Sequence, residues 1–209
     1  MRRLVIVAWF AVLAGCSSGI GLGGGSTGTS GTTGAGGTTG TGGTTGGATN
    51  PLTQDLIDAF VTAHNQARSG PLNPPPSPAL PPVSWDAVLA DSAYNYAIRC
   101  QGSSGLLSHN DNRSEDYQAL GGSGYVGENI YGTSGNATPA GAVALWMNEA
   151  PSYDYNSGSF GSAGHYTQIV WRASVRIGCA IVDCPALTYH NTVICDYAPG
   201  GNITGQKPY

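Results

Sequence analysis

Residues 17 to 49 are almost wholly glycine, serine and threonine and carry no charge. Such a stretch cannot bury enough apolar surface to offset the entropy of ordering it, so it reads as a flexible linker. Square-root scaling gives it an rms reach on the order of 30 Å. Whatever packs a core must come after it, and residues 50–209 are the right size for one domain. The glycines here make no phosphate loop. The string Gly24-Gly25-Ser26-Thr27-Gly28 matches a hydrolase motif but lacks the strand–turn–helix context that motif needs.

The linker has an export signal before it. Met1-Arg2-Arg3 is positive, and Leu4 to Ala14 is apolar but far shorter than the roughly 20 residues that span a bilayer. Leu13-Ala14-Gly15-Cys16 resembles a bacterial lipobox. The expectation for residues 1–16 is cleavage before Cys16 and acylation of that cysteine. That would tether the chain to a membrane surface without a spanning helix, as a cell-envelope lipoprotein or an extracellular protein. The alternative is an ordinary signal peptide with an incidental cysteine. Without Arg2 and Arg3, six basic residues face twelve acidic ones, so no basic face offers itself to nucleic acid. Cys100, Cys179, Cys184 and Cys195 remain in the domain. An even count in an exported chain reads as two disulfides with three possible pairings. A zinc site of four thiolates is the rival, but no pair has C-x2-C spacing. Asn112, Asn136 and Asn202 lie in Asn-x-Ser/Thr sequons, which matter only in a eukaryotic secretory pathway.

Along the domain, Thr53 to Ser69 reads as a helix, with Leu56, Ile57, Phe60, Val61 and Ala67 at helical spacing and His64 one turn beyond Phe60 as a core histidine. Pro71 to Pro82 is too proline-dense for helix or central strand. Ser84 to Cys100 reads as a second helix, with Trp85, Val88, Leu89 and Tyr96 on one stripe. Gln101 to Gly135 is glycine-rich and reads mostly as loop. Thr138-Pro139 starts a third helix that ends near Glu149. Strand signals follow at 165–172, 176–182 and 192–197. Helices followed by strands give an α+β fold, with helices on a small antiparallel sheet.

Two positions do not sit easily in this scheme. His165 opens a strand-like run, Gly164 to Trp171, where it is either a satisfied edge residue or part of a site. Glu149 lies at a helix C-terminus, where the macrodipole disfavours an anion by about 0.3–1 kcal/mol unless solvent or a cationic or metal partner offsets it.

Gly164-His165-Tyr166-Thr167-Gln168-Ile169-Val170-Trp171 resembles the first signature of the CAP superfamily (cysteine-rich secretory proteins, antigen 5, pathogenesis-related 1), and Val193 to Asn202 resembles its second. Ala63-His64-Asn65, Arg68, Ser84-Trp85-Asp86, Gly127-Glu128-Asn129 and Trp146 to Tyr153 extend the likeness from about Leu52 to Tyr209. The plant-type pathogenesis-related 1 proteins are similar down to the tail Gly205-Gln206-Lys207-Pro208-Tyr209. The resemblance implies a three-layer α-β-α sandwich around a mainly antiparallel sheet. It implies disulfides Cys179–Cys195 and Cys100–Cys184, and a cleft lined by His109, Glu128, Glu149 and His165. The chain departs from the pattern in three places. Cys100 lies nine residues before His109. A third disulfide between Tyr155 and His165 is missing, which should leave that loop less constrained. Asp196 stands where the family favours asparagine. His190 has no counterpart.

Two imidazoles and two carboxylates in one cleft can bind a divalent ion of the zinc type, exchange protons near neutral pH, or form a structural hydrogen-bonded cluster. A metal-bound water beside a glutamate would make a hydrolytic device, with Glu128, Glu149, His109 and His165 as its catalytic groups. The family also implies sterol or lipid binding at the loop after the third helix, here Pro151, Tyr153 and Tyr155. Phe160 follows nearby, and the alternative is that these aromatics only pack the loop. The resulting expectation is a lipid-anchored binding module for a divalent metal, a small apolar ligand or both, with a metal-dependent secreted hydrolase as the alternative. A further use the family implies is release of a C-terminal peptide, here Asn202 to Tyr209.

Overall fold

The computed structural model describes residues 47–209. The expected signal peptide, Cys16 and the expected linker as far as residue 46 lie outside the described residues. Helix α1, Gln54–Ser69, follows an extended Thr53 and buries Phe60, His64 and Arg68, one residue per turn. The expected second helix is shorter than its sequence pattern. Asp86 accepts hydrogen bonds from the amides of Val88 and Leu89 at 3.0 and 3.1 Å. That cap sets the start of α2, Ala87–Ala97, and leaves Ser84–Trp85 free to form strand β1. Trp85 is therefore not on the α2 stripe.

The expected loop from 101 to 135 also needs correction. It holds the short hairpin strands β2 (Gly102–Ser103) and β3 (Leu106–Leu107), the helix α3 (Arg113–Ala119) and the strand β4 (Gly127–Thr133). Polar side chains on both faces of β4 and two glycines hide its period-two pattern. Helix α4, Pro139–Met147, starts as expected: the Thr138 hydroxyl accepts from Gly141 N–H at 3.1 Å. A 3-10 turn, Ala150–Ser152, follows it.

The largest correction falls on 165–172. Gly164–Ile169 is not a strand but the helix α5. Its β-favouring residues are overridden by partners at both ends. The Glu149 carboxylate accepts from the amides of His165 and Tyr166 at 2.9 and 3.2 Å. At the other end, Arg68 donates to the carbonyls of Ile169 and Trp171 at 2.7 and 2.9 Å. This also resolves the placement of Glu149, which caps the start of α5 rather than opposing the dipole of α4.

Strands β5 (Arg176–Asp183) and β6 (Asn191–Ala198) complete a sheet of order β1-β5-β6-β4. β1 runs parallel to β5 and the other pairs are antiparallel. Cys179 lies opposite Cys195 in the β5–β6 register and is bonded to it, and Cys100 is bonded to Cys184. Helices α1, α4 and α5 pack with Ile177, Cys195 and Tyr197 on one face. Helix α2 packs with Ala180 and Ile194 on the other. Its fit there is close: a Cβ at Gly178 of β5 would lie 2.1 Å from the Ala90 nitrogen. The architecture is the expected α-β-α sandwich.

Candidate functional site

The site straddles strand β4, at the open edge of the sheet. Glu128 points to the α2 side and its neighbour Asn129 to the α1 side, because successive strand residues face opposite ways. On the first side the Nδ1–H of His109 donates to Glu128 Oε1 at 2.5 Å, and the amide of Asn110 donates to the same oxygen at 3.1 Å. The Glu128 side chain is 1% exposed and that of His109 56%. On the second side the Nδ1–H of His165 donates to Glu149 Oε1 at 2.6 Å. The two pairs meet across the edge. The imidazole centroids are 6.5 Å apart with the rings 28° from parallel, and His165 also stacks on Trp146 at 6.1 Å. All four residues line one cleft of about 300 Å³.

A carboxylate oxygen only accepts hydrogen bonds, so the proton of each neutral ring sits on Nδ1 and the lone pair on Nε2. Among the described residues, no hydrogen bond engages Nε2 of either ring. Two imidazole lone pairs thus serve one cleft, each fixed from behind by a carboxylate. No group of three or more His, Cys, Asp or Glu side chains converges on a single point among the described residues. His190 lies apart, paired with Asp183 at 2.7 Å.

A buried polar chain holds this arrangement from beneath. His64 donates from Nδ1 to Phe60 O at 2.8 Å and accepts at Nε2 from Tyr197 OH at 2.9 Å. Asn129 Nδ2 donates to Tyr197 Oη at 3.2 Å and to His165 O at 3.1 Å. Burial pushes the His64 pKa down to about 4, consistent with the neutral ring this chain needs. Gly127 is required by the packing above: a Cβ there would lie 2.0 Å from Gln168 Oε1, which accepts from the Gly201 amide at 2.9 Å. The Asn129–Tyr197 link escaped sequence reasoning because Asn129 read as part of a loop and Tyr197 as an ordinary strand position.

Glu128 lies directly opposite Asp196 in the β4–β6 register. Asp196 is 1% exposed. Asp196 Oδ1 and Glu128 Oε2 are both buried without a hydrogen-bond partner among the described residues. Burial, and then the neighbouring Glu128, push the Asp196 carboxyl well above the ordinary carboxylate range. A carboxyl held neutral in this way carries a proton and can act as a hydrogen-bond donor.

The loop residues divide. Pro151 and Tyr153 line a groove of about 660 Å³ that also takes in Leu72, Met147 and Tyr166. The Tyr153 hydroxyl is buried without a partner among the described residues. Tyr155 instead bonds through its hydroxyl to the carbonyl of Tyr209 and stacks on that ring at 5.4 Å. Phe160 packs edge-on to Trp171.

Comparison with known proteins places the fold in a family. The profile of the Cysteine-rich secretory protein family (CAP) matches residues 61–197. Pathogenesis-related protein 1 of Arabidopsis thaliana is 39% identical over 158 residues, covering 75% of this chain and 84% of its own. GLIPR1-like protein 1 of Homo sapiens is 39% identical over 157 residues, covering 73% of this chain and 62% of its own. Among solved structures, Na-ASP-1 superposes with a TM-score of 0.58 at 27% identity over 76% of this chain and 42% of its own. NaASP2 with Zn2+ gives 0.58 at 24% identity over 78% and 90%. The chain belongs to the CAP family and is similar to the plant pathogenesis-related 1 and GLIPR1-like proteins.

Proposed function

We propose that this protein is an exported binding module, held at a membrane surface by a lipid on Cys16, that takes up a divalent metal of the zinc type in the His/Glu cleft and a small apolar molecule, such as a sterol or lipid, in the groove beside it. The observation that carries the metal reading is the pair of facing imidazoles, each with Nδ1 tied to a carboxylate and Nε2 without a partner. A carboxylate behind a histidine is the usual support for a metal-ligating imidazole: it fixes the ring and raises its basicity. His109 and His165 would supply nitrogen ligands, with Glu128 and Glu149 holding them. The bound ion would supply Lewis acidity.

The apolar reading rests on the groove at Pro151 and Tyr153, where Leu72, Met147 and Tyr166 supply apolar wall and the buried Tyr153 hydroxyl, Gln66 and Asn73 offer polar contacts. The linker of residues 17–49 would then give the module freedom to move above the membrane.

Calorimetry with Zn²⁺ tests the metal reading. Saturable binding by the wild type and none by a His109→Ala/His165→Ala double variant is the expected result; equal heats for both would refute it. A titration with sterols, fatty acids and phospholipids tests the groove, and no saturable binding would remove that reading. Turnover of peptides or esters that needs Zn²⁺ and fails in Glu128→Gln would favour a hydrolase instead.

A further inference from the structure

A second cavity, of about 440 Å³, lies between α2 and α3 on the opposite face of the sheet from the groove at Tyr153, with Ser92, Asn95, Arg99, Asp116 and Leu120 on its walls. Ser92 is 1% exposed, and its hydroxyl has no hydrogen-bond partner among the described residues. A mid-helix serine normally bonds back to the carbonyl one turn earlier. This one does not, so a buried hydroxyl remains unsatisfied where a cavity opens, an arrangement that costs stability unless a guest completes it. Asn95 is already committed: its side chain exchanges hydrogen bonds with the backbone of Ala48, at 2.7 and 3.0 Å, where the chain enters the domain.

The cavity also carries two opposite charges that do not neutralise each other. Arg99 lies over the Tyr96 ring at 5.9 Å and makes no ion pair among the described residues. Asp116 accepts from the Asn110 amide at Oδ2, and no hydrogen bond reaches its Oδ1 among the described residues. One cation, one anion and one hydroxyl beside the apolar side chains of Ala119 and Leu120 describe a particular guest. We infer that this cavity binds a small zwitterion of the α-amino acid class, with the carboxylate on Arg99, the ammonium on Asp116, a hydrogen bond to Ser92, and the side chain against Leu120. Its size lies within the range of small-ligand pockets.

The proteinogenic L-amino acids, tested singly on the full chain by saturation-transfer NMR and calorimetry, provide the test. At least one should bind saturably, and its N-acetyl amide should not. Ser92→Ala should weaken binding about fivefold, the size of one hydrogen bond, and alanine keeps the helix. Arg99→Gln and Asp116→Asn should each weaken it about tenfold or more, as for charge-assisted bonds. The His109→Ala/His165→Ala variant should bind as the wild type does, which separates this cavity from the cleft. Absence of binding by every amino acid overturns the inference, and so does binding that survives capping or is indifferent to all three cavity variants.

Discussion

Asp196 and His64 pull the pH dependence of stability in opposite directions, and replacing either one exposes the other. Below 3.8 an aspartic acid is protonated in both states. Above it the unfolded chain loses the proton, while the buried, raised carboxyl of the folded state keeps it. Stability then falls by about 1.4 kcal/mol per pH unit as pH rises, until Asp196 itself ionises. His64 does the reverse. Its pKa is 6.5 unfolded and about 4 folded, so below 6.5 the unfolded chain gains a proton that the folded one refuses. Stability falls by about 1.4 kcal/mol per unit as pH drops, about 3 kcal/mol across the whole interval. Below pH 6.5, for as long as the folded-state Asp196 keeps its proton, the two slopes oppose each other. Asp196→Asn should therefore make stability rise with pH there by about 1.4 kcal/mol per unit relative to wild type, and His64→Gln should make it fall by the same amount. Urea titrations followed by tryptophan fluorescence, with disulfides intact, read these slopes. Constant offsets from lost contacts do not affect them. Slopes that match wild type in both variants would refute the burial argument. Asp196→Asn should also be more stable than wild type at pH 7, because an amide can donate to Glu128 without carrying charge.

Three further outcomes follow from the packing. Gly127→Ala should destabilise by about 1–3 kcal/mol, the usual cost of overpacking, and displace Glu128, read as a lower Tm together with weaker Zn²⁺ binding. Glu149→Ala should cost about 0.5–2 kcal/mol through loss of the α5 cap, with faster hydrogen exchange at the His165 and Tyr166 amides. The Cys100–Cys184 disulfide closes a longer loop than Cys179–Cys195, a separation of 84 residues against 16, so chain entropy predicts that removing them costs about 4–5 and about 3 kcal/mol by denaturant titration.

The amphipathic parts were legible in the sequence. The stripe of α1, the Thr138-Pro139 start of α4 and the strands β5 and β6 follow from periodicity and capping alone. The core position of His64 was equally plain, one turn from Phe60. What periodicity could not deliver were elements held by distant partners. Gly164–Ile169 has strand composition and is helical because Glu149 and Arg68, far off in sequence, satisfy its two ends. β4 was invisible because it carries polar residues on both faces: Glu128 toward a histidine, Asn129 toward Tyr197 and the His165 backbone. Those local inconsistencies coincide with the site. The four cleft residues came from resemblance to the CAP family, since no spacing rule links positions 109, 128, 149 and 165. The pairing of each histidine with its own carboxylate needed the fold.

The central claim is that both cleft histidines are locked with the proton on Nδ1 and the lone pair on Nε2. Nitrogen-15 NMR of the imidazoles, recorded at alkaline pH on histidine-labelled protein, distinguishes the two neutral tautomers directly. The account predicts the Nδ1–H form for His109 and His165, lost at one ring in Glu128→Ala and at the other in Glu149→Ala. Finding the Nε2–H form, or an averaged mixture, at both rings of the wild type would contradict it.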